Sequence, residues 1–391
     1  MRERLMDFLC CPISGSSKLE LHVFEREDDH ILEGVLHAKD AGRFYPIVDG
    51  VPRMLPPELY FNPTFETRHR KKLRALGWEP PVESVEGDEF RELKQETSAV
   101  YGFEWTRWDR HGWVPRGTPL PEEVDRFFQK SLLRPEEIRG HVVVDAGCGN
   151  GRYAYTAAQH AGEVIGLDLS AAVESSFKNL RDLPNAHVVQ GDIMRPPIKR
   201  DAIDHVYSIG VLMITGDTLR ATRSLAELLK PGGTITVHVY APGNPLWQFN
   251  DAWVRKLTTQ LSIPANVKLA KKMASAAQWL GRRGWLGYVS LALRMWPEDV
   301  VNFDWYATPL QTYHTHKEMR GWFQEMGWPV VADQSGRMKI EGGALRKAWA
   351  RVVWPDPMAT VKAQKPGDAR RGQQAAAPVR QGGQQIGRAH V

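Results

Sequence analysis

The chain is short of cysteine: Cys10, Cys11 and Cys148 are the only three among 391 residues. Three thiols cannot form a disulfide framework, so the fold must rest on a packed core, and a reducing, cytoplasmic setting is expected. Long apolar runs are also missing. No stretch reaches the roughly 18 uncharged apolar residues that a membrane span needs. The start, MRERLMDFLCCP, lacks the apolar run and small-residue cleavage site of a secretory leader. A net charge is missing from most of the chain. The formal charge is +5, and residues 361–391 account for all of it, with six Lys or Arg against one Asp. The first 360 residues are formally neutral, so charge balance does not indicate a broad nucleic-acid face, although a local patch is not excluded.

What is present divides into four parts. Residues 1–57 alternate in short runs (Leu19 to Val23, His30 to Leu36, Arg43 to Ile47) and close at the Asp49-Gly50 turn, which predicts a small β-rich unit. Residues 58–140 read as a polar, partly helical cap with an aromatic cluster, Tyr101-Gly102-Phe103-Glu104-Trp105. Residues 141–353 alternate strand and helix signals, with a helical insertion at 245–301. From 354 to 391 Gln, Gly, Ala, Pro and Arg dominate, and this composition predicts a disordered tail. Its end, Ile386 to Val391, reads like the translation of a sequencing adapter, so the tail carries no functional weight.

The central segment holds the chemistry. Val142-Val143-Val144-Asp145 is a short apolar strand, followed at once by Ala146-Gly147-Cys148-Gly149-Asn150-Gly151 and a predicted helix. Glycines there permit a tight turn and a close ligand approach, and the helix start presents free N–H groups. The third glycine comes one residue earlier than in the dinucleotide fingerprint, which favours a cofactor with a carboxylate and a ribose over a pyrophosphate. The second strand, Glu163 to Leu167, ends in Asp168, placed to accept hydrogen bonds from ribose hydroxyls. His187 to Ile193 ends in Gly191-Asp192. Asp204 to Gly210 and Thr234 to Tyr240 follow as further strands.

VVVDAGCGNG, GLDLS, QGDI, DHVYSIGVL and LKPGGTITVHVY, taken in order, resemble the motifs of class I S-adenosylmethionine methyltransferases over residues 141–240. The resemblance implies an α/β fold: a seven-stranded, Rossmann-like doubly wound sheet, with the β-rich unit in front and the helical insertion as a cap. It implies S-adenosyl-L-methionine as cofactor, with Asp145, Gly147, Gly149 and Gly151 around the methionine part. Asp168 and Leu169 would lie at the ribose, Asp192 and Ile193 beside the adenine, and Ser208 near the methyl group. Leu9-Cys10-Cys11-Pro12, Lys18 to Leu21 and Phe44 to Pro52 resemble Trm112-like zinc-ribbon-type domains. Adjacent cysteines are a poor match to paired zinc ligands, so no metal is expected, and His22, His30 and His37 read as surface histidines.

Two segments suggest the acceptor side. The insertion is apolar at helical spacing, with Lys and Arg between; it reads as a cap packed on the sheet, or as a lid over a hydrophobic or aromatic acceptor. A basic face touching a membrane surface is a further reading of it. Asn302 to Pro309 and Tyr313-His314-Thr315 precede a closing helix, and His314 is the candidate general base. The expected activity is methyl transfer to a small-molecule acceptor of hydrophobic or aromatic character. An RNA or protein methyltransferase is the alternative that the Trm112-like unit prompts. A catalytically silent subunit is another, because Gly210-Val211-Leu212-Met213-Ile214 lacks the histidines that relatives often carry there. Oligomeric state is not legible.

Overall fold

In the computed structural model, the described residues are 1–56, 59–60, 62–79, 90–115, 117–290, 293–335 and 358–367. The N-terminal unit is an antiparallel sheet of β1 (Glu20–Glu27), β2 (His30–Ala38), β3 (Arg43–Val48) and β4 (Val51–Pro52), in that spatial order. Asp49 and Gly50 both adopt positive φ at the β3–β4 turn, as the sequence signals. Four helices follow: α1 (Pro63–Ala75), α2 (Arg91–Arg107), α3 (Pro121–Ser131) and α4 (Pro135–Ile138).

The second sheet alternates with helices: β5 (Val142–Ala146), α5 (Arg152–Ala158), β6 (Glu163–Asp168), α6 (Ala172–Leu180), β7 (Ala186–Gln190), β8 (Ile203–Ile209), α7 (Thr218–Ala226) and β9 (Leu229–Tyr240). The insertion comprises α8 (Pro245–Thr258), α9 (Ile263–Arg282) and α10 (Leu286–Val289). Then come α11 (Asp299–Ala307), α12 (His316–Glu325), β10 (Val330–Ser335) and β11 (Met358–Gln364). The spatial order is β10-β11-β9-β8-β5-β6-β7. Strands β7, β6, β5, β8 and β9 are parallel, and β11 and β10 are antiparallel to their neighbours. Strand order reverses at β5, where β6 and β8 leave on opposite sides, and a doubly wound sheet opens its ligand crevice there.

Strand β11 corrects the expectation of disorder from residue 354. It lies between β9 and β10, with Ala359, Val361 and Ala363 fully buried. Lys362 Nζ donates to Leu132 O at 2.9 Å and pairs with Glu137 at 3.0 Å, so this lysine belongs to the fold and not to a charged tail. The strand is hard to read because its apolar face is built from small residues and its composition merges with the polar sequence beyond. Residues 354–357 and 368–391 of the expected tail lie outside the described residues. Val361→Asp is expected to cost on the order of 4 kcal/mol or more, because it buries an unpaired charge in the sheet. Thermal unfolding followed by circular dichroism checks this; an unchanged midpoint would return the segment to the tail.

The two sheets share a core. Met1, Leu5, Leu9, Ile31 and Ile47 belong to the same buried cluster as Val144, Ile165 and Val237. Arg53, next to β4, bridges Gln190 of β7 in parallel register, and Met54 N donates to Gln190 O at 2.8 Å. The N-terminal unit therefore covers an edge that would otherwise be open. His30 is buried at this junction against the Arg181 carbonyl, where the sequence suggested a surface residue. His22, His37 and Glu20 do converge, with ligand atoms within 4.8 Å of one another, while Lys39 Nζ holds Glu20 at 2.7 Å. Cys11 Sγ lies 3.2 Å from Tyr45 Oη, and both cysteines are buried. Among the described residues, no helix is long and apolar enough to cross a membrane.

Candidate active site

A cavity of about 460 Å³ opens at the carboxyl ends of β5, β6 and β8. Gly147, Cys148 and Gly149 form one wall. Asp168 and Leu169 follow at the end of β6, Asp192 and Ile193 after β7, and Ile209 to Val211 after β8. The glycine turn is tightly constrained. Gly147 has φ +88°, and a Cβ there would stand 2.3 Å from Val211; at Gly149 a Cβ would stand 3.2 Å from the Trp105 ring. Gly151, with φ +83°, does not line the cavity; its missing side chain makes room for Ser176 and Leu180 of α6.

Asp168 is the centre of the polar wall. Its carboxylate accepts from Gly149 N at 3.0 Å, Ser170 N at 2.9 Å and Ser170 Oγ at 2.8 Å. Burial raises its pKa above the ordinary carboxylate range, and these bonds oppose the shift. Asp192 accepts from Met194 N at 2.8 Å and pairs with Lys94 of α2 at 2.6 Å, both side chains largely buried. Asp145 lies beneath the turn and outside the lining, facing Tyr207 and the start of α5. Burial pushes its pKa up to about 7. Cys148 is buried beside Ser176 Oγ, and burial pushes its thiol well up, so it is not a nucleophile.

Besides Asp145 and Gly151, two further predicted residues lie outside the cavity. Ser208 is fully buried and spends its hydroxyl on Ala146 O at 2.8 Å, because strand β8 turns it into the sheet and leaves Ile209 and Gly210 at the rim. His314 also stands outside the cavity. Its Nδ1 meets Glu318 Oε1 at 2.8 Å and its Nε2 meets Thr218 Oγ1 at 2.9 Å, while its ring packs edge-on to Trp322. Thr315 caps α12 with Glu318 in a reciprocal capping box, and the histidine completes that corner. His314→Ala is expected to change turnover by less than about threefold, where loss of a general base would cost 10²-fold or more. Steady-state kinetics on any accepted substrate decides between the two.

The opposite wall brings Tyr101 and Trp105, which the sequence offered as a cover for the cofactor or as core, together with acids the sequence did not assign. Tyr101, Glu104 and Trp105 come from α2, Asp304 and Trp305 from α11, and Tyr240 from β9. Glu104 is 1% exposed, and its Oε2 has no hydrogen-bond partner among the described residues. Burial, and then the Asp304 charge, pushes its pKa well above the usual range. Burial also raises Asp304, opposed by the bond it accepts from Tyr101 Oη at 2.9 Å. The two acids sit in matching triplets, Phe103-Glu104-Trp105 and Phe303-Asp304-Trp305, and the two phenylalanine rings meet at 5.8 Å. An acid between aromatics on a helix is hard to solvate, and this was the legible signal of the Glu104–Asp304 pair. Arg152 stacks between Trp105 and Tyr153 and pairs with Glu123 at 3.1 Å. His238 also lines the cavity; burial lowers it to about 3, so it is neutral.

A reversed-order parallel sheet, a glycine turn and a terminal acid on the second strand define a class I S-adenosylmethionine-dependent methyltransferase domain. Residues 144–237 match the methyltransferase-domain family, and residues 2–50 match the Trm112p-like family. It is 24% identical over 191 residues to a tRNA U34 carboxymethyltransferase of Desulfotalea psychrophila, covering 47% of this chain and 58% of that protein. It is 28% identical over 165 residues to a demethylmenaquinone methyltransferase of Staphylococcus saprophyticus, covering 40% and 69%. The chain thus spans little more than half the length of the first relative and about two thirds of the second. Among solved structures, a chain from the complex of the Haloferax volcanii Trm112 methyltransferase activator with a methyltransferase aligns at 18% identity, with a TM-score of 0.41, covering 70% of this chain and 97% of that one.

Proposed function

We propose that the protein transfers the methyl group of S-adenosyl-L-methionine to a small hydrophobic or aromatic acceptor held in this cavity. One observation carries the reading: a single cavity joins the glycine turn and Asp168 to a wall of aromatic rings, the buried carboxyl of Glu104 and the half-buried carboxyl of Asp304. The residues fit the cofactor. Asp168 offers a carboxylate to a diol, the glycines admit close approach, and the unpartnered Glu104 oxygen suits a cation. S-adenosylmethionine brings an already activated electrophilic methyl on a sulfonium, so the protein need only bind, align and exclude water.

Each residue then has a task. Asp168 and Asp192 fix the two ends of the nucleoside. Tyr101, Trp105 and Tyr240 offer ring faces to the positive sulfur and to an apolar acceptor. Burial raises the pKa of both Glu104 and Asp304, and in its ionised form either carboxylate can take a proton from an acceptor O–H or N–H. The roof formed by α2 and α11 favours a small acceptor over a macromolecular one.

Incubation with methyl-labelled S-adenosylmethionine tests this against two acceptor pools: small hydroxylated aromatics and apolar acids, and bulk tRNA. Label on small molecules alone is the expected result. Label on tRNA alone would move the chain to the nucleic-acid reading, which the Trm112p-like unit and the name of the first relative prompt. Cofactor binding without transfer to either pool would favour a silent subunit.

A further inference from the structure

Helix α8 is apolar on two faces. Trp247 and Val254 turn inward. Leu246, Phe249, Trp253 and Leu257 recur at i, i+3, i+7 and i+11, forming one stripe that is 50%, 62%, 59% and 70% exposed. Trp279, Trp285 and Tyr288 of the same insertion are also exposed. Trp247 Nε1 donates to Ser290 O, which ties the start of α8 to the residue that follows α10. Single exposed apolar residues are ordinary, whereas eight large ones on one inserted unit, with Leu261 the eighth, need a partner.

Charge selects the partner. Between residues 245 and 290 the sole acid is Asp251, which is buried beside Arg294. Lys256, Lys268, Lys271, Lys272, Arg282 and Arg283 are exposed. The Arg283 guanidinium stands 3.9 Å from the centre of the Trp279 ring, and the Lys256 amine 5.8 Å from that of Trp253. Lys271 borders Glu298 and Asp299 across a shallow groove, whereas Lys256 and Arg283, with Arg282 next to it in the chain, stand at the open rings. Tryptophan and tyrosine favour the headgroup level of a bilayer, and lysine and arginine reach its phosphates. A nucleic acid would leave the α8 stripe in water, and a second copy would meet the same positive charge.

We infer that the α8–α10 unit docks on an anionic lipid surface. The same inserted segment continues into Arg294 and Trp296, which line the cavity, so the docked face and the acceptor wall are continuous in the chain. The inference is independent of the methyl-transfer reading, because lipid binding is measured without turnover.

Sedimentation of the full chain with vesicles of equal parts phosphatidylglycerol and phosphatidylcholine, and with phosphatidylcholine alone, tests it. Partition into the anionic vesicles is expected. Each basic residue near such a surface contributes about fivefold, so the double change Arg282→Glu with Arg283→Glu should reduce partition by about 25-fold or more. Phe249→Ser and Trp253→Ser should each reduce it by about tenfold. All four positions are exposed, and unchanged far-ultraviolet dichroism is the control for folding. Absence of partition would overturn the proposal, as would partition that these variants leave unchanged, which would place the contact on the arginines beyond residue 367. Retention on RNA, or self-association lost in the same variants, without vesicle binding, would overturn it equally.

Discussion

Asp168→Ala is expected to weaken binding of S-adenosylmethionine by about 100-fold or more. A charge-assisted hydrogen bond contributes about 1.5–3 kcal/mol, and a carboxylate that accepts from two ribose hydroxyls loses two of them. The change has a second cost. The same carboxylate holds Gly149 N and the Ser170 amide and hydroxyl, so its removal releases the glycine turn that must stay narrow beside Trp105. S-adenosylhomocysteine carries the same ribose and should lose affinity to the same degree. Calorimetric titration with both ligands checks this. A loss below about threefold would mean that Asp168 serves only its own turn.

Glu104→Gln is expected to lower kcat by on the order of 10²–10³, in the range for loss of a positioned base. The glutamate is buried, and one of its oxygens has no partner among the described residues. Its raised pKa, caused first by burial and then by Asp304, sets the direction of the pH dependence. Activity should rise with pH as the pair loses its proton and level off above its raised pKa. Removal of the Glu104 charge takes a like charge from Asp304, so the residual activity should show its acid limb at lower pH. Glu104 is expected to distinguish the two cofactor forms as well. A sulfonium cation beside a raised carboxyl draws its proton off, whereas neutral S-adenosylhomocysteine does not. Titration in buffers of different ionisation enthalpy should show proton release with the first ligand and not the second, and Glu104→Gln should diminish it. A variant that keeps full kcat with an unmoved pH profile would remove the carboxyl pair from the chemistry.

The sheet and the cofactor turn were legible because their signals are local. Val142 to Gly151 states a buried strand, a tight turn and a helix start within ten residues, and the structure follows that order. Strand β11 was not legible. Its order comes from pairing with β9 and β10, distant in the chain, and alternating Ala359, Val361 and Ala363 give little apolar signal beside a polar tail. Side-chain direction was the other blind spot. Ser208 sits on the right strand but turns into the sheet, and His314 sits before the right helix but is consumed by Glu318 and Thr218. Both errors came from taking nearness in the chain for nearness to the cavity. Glu104 and Asp304 were readable as polar residues within aromatic runs, but only folding brings α2 and α11 together and makes them a pair. The insertion taught the reverse lesson. Apolar residues at helical spacing predicted helices correctly, yet on α8 they occupy two faces, and the pattern does not say which face is covered.

The central claim is that the cavity at the ends of β5, β6 and β8 binds a methyl donor. Isothermal titration of the full chain with S-adenosyl-L-methionine tests it most directly. The account predicts saturable, one-to-one binding tighter than about 1 mM, lost in Asp168→Ala while the unfolding midpoint is retained. No saturable heat with a folded protein, or binding that Asp168→Ala leaves intact, would contradict it.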